Sequence, residues 1–154
     1  MKKESLKLGL ILLSVVIVFA YCGRKSPTSS ETKGYVSISI QEDPVVFNWN
    51  SSTEKWETIF TIVLTEHGGD RMDVSQISAE AREGDTVRYK FTKQFYGEFN
   101  VPANGTGEWV WDYDQFNIPG KDHFDTLRIK VFAVDTNANY QEVEEDFTNL
   151  SFEE

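Results

Sequence analysis

Apolar and polar residues alternate along most of the chain after residue 34, with the period of two that is typical of half-buried β-strands. The alternation is clearest in three segments, at 35–40, 56–66 and 125–135. Weaker or shorter alternation predicts further strands at 45–50, 72–82, 86–92, 108–113 and 140–150. The alanines of 72–82 make a helix the competing interpretation there, but the flanking strands and the alternating Ser78, Glu80 and Arg82 favour a strand. The pattern therefore predicts seven or eight strands.

Turn-forming residues separate these segments. Clusters rich in glycine, asparagine, aspartate, serine and proline lie at 43–44, 50–55, 68–70, 83–85 and 136–139, and such residues favour tight turns. Within 72–82 the apolar parity changes near Ser75 and Gln76, which predicts a β-bulge. Trp49 and Trp56 flank the turn at 50–55, so we expect them to form a cross-strand pair.

Short strands separated by regular turns predict an all-β fold in which two antiparallel sheets pack as a sandwich. From Gly34 onward the chain resembles the immunoglobulin-like or fibronectin-type-III-like domains of bacterial surface lipoproteins. The turn at 134–139 resembles the Asp-x-x-Gly-Asn turn of those domains, with Ala138 in place of the glycine. The resemblance implies an immunoglobulin-like sandwich over 35–151.

The first residues follow a different pattern. An apolar run at 8–21 follows Lys2, Lys3 and Lys7 and ends at Cys22, the only cysteine. A positive segment followed by an apolar one is the layout of a secretory signal. The run has 14 residues, which is short of the roughly 20 that a membrane-spanning helix needs. We therefore expect residues 1–21 to form the helix of a signal peptide.

The end of this run, Phe19-Ala20-Tyr21-Cys22, resembles the lipobox of bacterial lipoproteins, with Phe19 and Tyr21 where leucine and a small residue are common. The resemblance implies that Cys22 is lipidated and becomes the new N-terminus, anchored by acyl chains in a membrane of the cell envelope. Conventional cleavage and an uncleaved anchor are the alternatives. Residues 23–34 contain no large apolar side chain, so we expect 22–34 to be a flexible tether.

Charge and cysteine content exclude several classes of function. The chain has a net charge of −10, and residues 1–21 carry three lysines and one glutamate, so residues 22–154 carry −12. Such an acidic domain repels phosphates, which excludes nucleic acid as a partner. No cysteine follows Cys22, which excludes a disulfide framework, a catalytic cysteine and a thiolate metal site beyond it.

The sequence offers little catalytic or metal-binding chemistry. Only two histidines occur, His67 and His123, and no nucleophile elbow, zinc motif or phosphate loop is present. We expect a protein that is not an enzyme and needs no cofactor. Asp135, Asn137 and Asn139 have the oxygen spacing that opens a calcium loop, but the glycine and distal glutamate of such a loop are missing. The simpler interpretation is that these three side chains satisfy backbone groups of a turn.

The best hint of binding is an aromatic alternation. Trp109, Trp111 and Tyr113 fall on one face of a strand, with Val110 on the other. If exposed, this face would be a platform for stacking on sugar rings. If buried, it is core. We favour the core, because a domain without disulfides needs large apolar residues inside.

These observations predict a membrane-anchored lipoprotein that carries a noncatalytic immunoglobulin-like interaction module. Its partners would be the membrane, through the lipid, and a protein or carbohydrate ligand. The alternative is a carbohydrate-binding accessory domain that uses Trp109, Trp111 and Tyr113. A small hydrolase with a pair of carboxylates is the weakest of the three hypotheses.

Overall fold

The structure, a computed structural model, describes residues 34–112, 115–120 and 123–154, and these form twelve strands and no helix. The strands are β1 (Val36–Ile40), β2 (Val45–Asn50), β3 (Lys55–Glu57), β4 (Phe60–Glu66), β5 (Met72–Glu83), β6 (Thr86–Gln94), β7 (Asn100–Val101), β8 (Thr106–Trp111), β9 (Asn117–Pro119), β10 (Thr126–Asp135), β11 (Tyr140–Phe147) and β12 (Leu150–Glu153).

The predicted signal peptide, Cys22 and the predicted tether up to residue 33 lie outside the described residues. Among the described residues, none belongs to a helix long and apolar enough to cross a membrane.

One layer of the fold is a five-stranded antiparallel sheet. Its order is β11-β10-β5-β6, and the short strand β7 pairs with the start of β5. The pattern predicts β10 well, because its alternate residues are buried from Leu127 to Asp135. It also predicts β5 to within one residue of its observed end, although β5 is buried without alternation from Ile77 to Ala81. The predicted hairpin between 125–135 and 140–150 is confirmed, although its second strand ends at Phe147.

The other layer consists of two smaller sheets, ordered β1-β4-β8 and β12-β2-β3-β9. The chain passes from one sheet to the other three times, from β1 to β2, from β3 to β4 and from β8 to β9. Three long strands are therefore each broken in the middle. The division of 56–66 into β3 and β4 adds one strand to the eight predicted segments, and the unpredicted short strands β7, β9 and β12 bring the number to twelve.

The break between β3 and β4 divides the predicted strand 56–66. Trp56, Thr58 and Phe60 nevertheless all stay buried, so the alternation continues across the break. The Thr58 hydroxyl donates to the Val46 carbonyl at 2.7 Å. A side chain thus bonds a backbone group at the point where the strand pairing stops.

The core lies between the layers and is rich in aromatic rings. Its largest fully buried side chains include Trp56, Trp111, Phe47, Phe60 and Phe116. The predicted Trp49–Trp56 pair is confirmed, since the two residues are directly opposite in β2 and β3 and their rings are 5.3 Å apart. Burial of these rings is the main favourable contribution to folding.

Two β-bulges set which residues face outward from the five-stranded sheet. Gln76 pairs with Phe132 and Val74 with Ala133, so Ser75 is an extra residue and the predicted bulge is confirmed. A second bulge was not predicted. Ala81 pairs with Tyr89 and Arg82 with Val87, so Arg88 is the extra residue. Val87 therefore faces outward and is 42% exposed, whereas strict alternation would place it inward with Tyr89 and Phe91.

Candidate functional site

The aromatic face of β8 lies in the core. Trp111 is 1% exposed and stacks on Phe60 with ring centroids 6.1 Å apart. Trp109 is half-buried, with its ring 4.7 Å from that of Phe95. Tyr113 lies outside the described residues. Trp109 and Trp111 therefore do not form an exposed sugar platform, because their face is the one that closes the sandwich.

The indole nitrogens of Trp109 and Trp111 are buried and have no hydrogen-bond partner among the described residues. Beside Trp111 is a depression of about 450 Å³, lined also by Lys90, Phe91, Thr92, Lys93 and Gln115. Its two cations are engaged elsewhere. Lys90 binds Glu80 at 3.0 Å, and the Lys93 ammonium lies 5.5 Å from the Trp109 ring centroid.

The calcium candidate is a turn that satisfies itself. Asp135 is buried, and its Oδ1 accepts the backbone N–H groups of Asn137 at 2.9 Å and Asn139 at 2.8 Å. Its Oδ2 accepts the side-chain amide of Asn139 at 2.8 Å. The Asn137 amide points instead to Asp70, at 3.1 Å. The three residues act together as a turn brace, which is a common use of aspartate and asparagine.

The two histidines lie apart, and both stack on aromatic rings. His67 stacks on Tyr35 at 5.1 Å, and its Nε2 lies 2.8 Å from the Ser37 hydroxyl. His123 stacks on Phe152 at 4.5 Å. Within residues 34–112, 115–120 and 123–154, no three His, Cys, Asp or Glu side chains form a group that could hold a metal ion.

Glu66 is a buried carboxylate with a structural role. It is 2% exposed, and it accepts backbone N–H groups from Gly68, Gly69 and Asn104 at 2.5, 3.0 and 2.7 Å. Burial alone would raise the pKa of Glu66, but these backbone N–H groups outweigh it and the pKa is lowered. The charged side chain thus ties together the loops that follow β4 and β7.

The outer face of the five-stranded sheet carries the main concentration of polar side chains. The strand register places them in rows that cross β6, β5, β10 and β11. One row is Lys90, Glu80, Arg128 and Asp146, and the next is Thr92, Ser78, Lys130 and Glu144. A third row is Gln94, Gln76, Phe132 and Glu142.

The charged rows form an ion-pair half of this face, defined by Glu80, Arg82, Lys90, Arg128, Lys130, Glu144 and Asp146. Arg128 binds Asp146 through two bonds of 2.6 and 2.7 Å, and Lys130 binds Glu144 at 3.0 Å. The hydrogen bond to Asp146 raises the pKa of Arg128 and lowers that of Asp146. These charges therefore satisfy one another.

Glu80 is the buried centre of the ion-pair half. It is 4% exposed and binds Arg82 at 2.9 Å and Lys90 at 3.0 Å. Burial would raise the pKa of Glu80, but the hydrogen bond and charge of Lys90, together with Lys130 and Arg82, lower it. Neighbouring Ser78 is fully buried, and its hydroxyl has no partner among the described residues.

The other end of the face contains an amide–aromatic depression of about 450 Å³, lined by Ser75, Gln76, Gln94, Phe132, Ala133, Tyr140, Gln141 and Glu142. The bulge at Ser75 lies in its floor, where the Ser75 hydroxyl donates to the Phe132 carbonyl at 3.1 Å. A bulge bends its strand and locally increases the twist. The extra residue of β5 is thus part of the lining of the depression.

The side chains of the depression are less engaged than those of the ion-pair half. Gln94 Nε2 donates to Gln76 Oε1 at 2.5 Å. Gln76 Nε2 and Gln94 Oε1 make no hydrogen bond with the described residues. Tyr140 is 86% exposed, and so is Tyr96, which follows two residues after Gln94. This surface combines an exposed aromatic ring with amide groups that keep unused hydrogen-bonding positions, and it is our candidate site.

Sequence reasoning missed this site, because its residues come from four strands. Gln76, Gln94 and Glu142 each fit the ordinary outward position of an alternating strand. The one usable signal was the change in apolar alternation near Ser75. It located the bulge, but it did not show which residues of the neighbouring strands lie opposite the bulge.

No protein-family model matches the sequence, and no curated protein matches it. Among solved structures, the chain is similar to the X-ray structure of Northeast Structural Genomics Consortium target SoR45, with a TM-score of 0.53 and 9% identity over 79% of this chain and 88% of that chain. It is also similar to the putative ApaA protein from Bordetella pertussis, with a TM-score of 0.49 and 15% identity over 77% and 94% of the two chains. At such identities the first likeness supports the all-β, sandwich-like fold alone.

Proposed function

We propose that this protein is a membrane-anchored lipoprotein whose sandwich is a noncatalytic, immunoglobulin-like interaction module. The observation that carries the module part is the strand order. One layer has the order β11-β10-β5-β6. In the other layer, each broken strand counts as one long strand: β1 with β2, β3 with β4, and β8 with β9. These three long strands are the first, second and fifth of the chain, and they lie side by side in that order. In immunoglobulin lettering these are G-F-C-C′ opposite A-B-E, which supports the proposal.

The β10–β11 turn supports the same assignment. Ala138 stands where the resembled turn has glycine, and it has a φ of 63°. Such a left-handed conformation favours glycine. The sequence therefore departs from the resembled turn while the backbone keeps the conformation that the turn requires.

The noncatalytic part of the proposal is supported by the state of the buried acids. Glu66 and Glu80 have lowered pKa values and accept hydrogen bonds from several donors. A carboxyl group that acts as a general acid has a raised pKa. These two groups suit a structural role.

The anchor part of the proposal rests on the run that ends at Cys22 and on the polar segment at 23–34. Several acyl chains on one cysteine give lasting attachment to a bilayer, where a single chain gives marginal binding. The acidic domain, in contrast, has no charge attraction to an anionic membrane surface.

Metabolic labelling with an alkyne-tagged fatty acid tests the anchor in a bacterial host. We expect the native chain to be labelled and to sediment with membranes, whereas Cys22→Ala should be unlabelled. Lys25→Ala, three residues further on, is the matched control and should be labelled like the native chain. An unlabelled native chain would refute the anchor.

Site-specific photo-crosslinking tests the interaction module. A photoreactive residue at position 140, in the amide–aromatic depression, should give adducts in whole cells, whereas one at position 87, on the same face but outside the depression, should not. Adducts that are equally abundant at both positions would indicate nonspecific contact and contradict the proposal.

A further inference from the structure

We propose that the amide–aromatic depression binds a neutral carbohydrate, an inference that rests on the proposed interaction function and names its ligand class. Its volume of about 450 Å³ is within the range of small-ligand sites. It is open to solvent on the outer face of the sheet, so a glycan chain could enter it without any strand moving.

The exposed aromatic rings favour a sugar. Tyr140 lines the depression and is 86% exposed, while Phe132 beside it is half-buried. The face of an aromatic ring carries partial negative charge, and the axial C–H groups of a pyranose carry partial positive charge. A sugar ring stacked on Tyr140 would cover apolar surface that is otherwise left in water.

The paired amides favour hydroxyl groups as the polar part of the ligand. An amide both donates and accepts hydrogen bonds, as a hydroxyl does. The bond between Gln94 Nε2 and Gln76 Oε1 fixes the two side chains next to each other. It leaves Gln76 Nε2 to donate and Gln94 Oε1 to accept, which suits two neighbouring hydroxyls of one sugar.

The charge of the depression excludes an anionic ligand. Among the described residues that line it, Glu142 is the one charged group, and no lysine or arginine is present. Residues 22–154 carry −12 overall. A phosphate or uronate would meet repulsion without a compensating cation, whereas a neutral glycan would not.

Calorimetric titration of the full chain tests the inference, in a detergent without a sugar headgroup. The probes are cello-, malto-, xylo-, manno- and chito-oligosaccharides, with oligogalacturonate as the anionic comparator. We expect at least one neutral series to bind with a Kd of about 1 mM or tighter, and oligogalacturonate to bind more weakly than that series.

Variants of the lining locate the site. Tyr140→Ala should weaken binding about tenfold by removing the stacking surface, and Gln76→Ala about threefold by removing a hydrogen-bond donor. Tyr140→Phe keeps the ring and should bind like the native chain. Tyr35→Ala removes an exposed tyrosine outside the depression and is the matched control. Thermal melts should agree for the Tyr140 variants, because Tyr140 is 86% exposed, and they correct the other variants for any loss of stability, such as the loss of the Tyr35–His67 stacking.

Three outcomes would overturn the inference: no neutral series binds, oligogalacturonate binds more tightly, or Tyr140→Ala and Gln76→Ala bind like the native chain. The result is separable from the proposed function. Labelled Cys22 and a protein adduct at position 140, without glycan binding, would leave the interaction module and refute the ligand class. Glycan binding by an unlabelled chain would support the ligand class and remove the anchor.

Discussion

The two ends of one sheet face use polar side chains in opposite ways. In the ion-pair half, Glu80 is buried and bound by two cations, and Arg128 and Lys130 are bound to acids on β11. In the amide–aromatic depression, Gln76 and Gln94 bond each other, Gln141 donates to the Gly34 carbonyl, and Tyr140 is 86% exposed. Both ends share the same strands and the same alternation, so secondary structure alone does not distinguish them.

The difference teaches that pairing, and not polarity, separates a structural surface from a surface available to a ligand. A charge that is already neutralised by its neighbours gains little from a new partner. An amide group without a protein partner gives up only hydrogen bonds to water when a ligand binds, so ligand binding breaks no bond within the protein. Substitutions in the two ends should therefore affect different measurements, stability in one and binding in the other.

The largest effect on stability should come from Glu80→Gln. The change keeps the shape of the side chain but leaves Arg82 and Lys90 without their acid. We expect the free energy of unfolding to fall by about 2 kcal/mol, less than for a fully buried pair because Lys90 is half exposed. Denaturant unfolding followed by tryptophan fluorescence measures it. Gln76→Ala is the comparison in the depression and should stay within about 0.5 kcal/mol; equal losses would contradict the division of the face.

Acid should remove the effect of Glu80→Gln. The pKa of Glu80 is lower in the folded chain than its ordinary value of 4.5, so at intermediate pH the unfolded chain binds more protons. Its stabilising contribution is present above that ordinary value and is lost as pH falls through the lower folded-state pKa. The difference in the free energy of unfolding between the native chain and the variant should be largest at neutral pH and should disappear below that folded-state pKa. A gap that does not change with pH would show that packing, and not charge, causes it.

Asp146→Asn should have a smaller effect. Asp146 is partly open to water, with 43% of its side chain exposed, and Arg128 keeps a second partner in Glu144. We expect a loss of about 0.5–1 kcal/mol at low salt, decreasing in concentrated salt as screening weakens the pair. Unfolding curves at two salt concentrations test this expectation, and a loss insensitive to salt would contradict it.

Ser78→Ala should have the smallest effect and the opposite sign. The Ser78 hydroxyl is buried without a partner among the described residues, so its removal should stabilise the chain by about 0.5 kcal/mol. Ser75→Ala is the matched control, because that hydroxyl donates to the Phe132 carbonyl and its loss should destabilise slightly. Destabilisation by Ser78→Ala, in the same unfolding assay, would indicate that the hydroxyl is bonded.

Much of the fold was predictable from alternation. The pattern predicted β2 at its observed bounds, the buried residues of β10 and the bulge at Ser75, because each depends on neighbours in sequence. The break at Thr58 was not predictable, since Thr58 stays on the inward face and only its bond to Val46 marks the change of sheet. The separate strand β12 was also missed, because it pairs in parallel with a distant strand.

The site was predictable only in part. Alternation showed that Trp109 and Trp111 share a face, and burial of that face decides against an exposed platform. Alternation places Ser78 and Glu80 on the outer, polar face of β5, yet both are buried. The long side chains of the neighbouring strands cover them. Such cover depends on the register between strands, which a single sequence does not display.

The bulge at Ser75 has a consequence at the level of the gene. Without this residue, Val74 and Gln76 would be adjacent and would still pair with Ala133 and Phe132. Loss of this codon would therefore keep the β5–β10 register and the inward residues of β5 in place, while it would remove the bond between the Phe95 N–H and the Ser75 carbonyl and the extra residue at the depression. A single in-frame deletion or insertion at this position would thus reshape the depression while the β5–β10 pairs on either side of it stay in register.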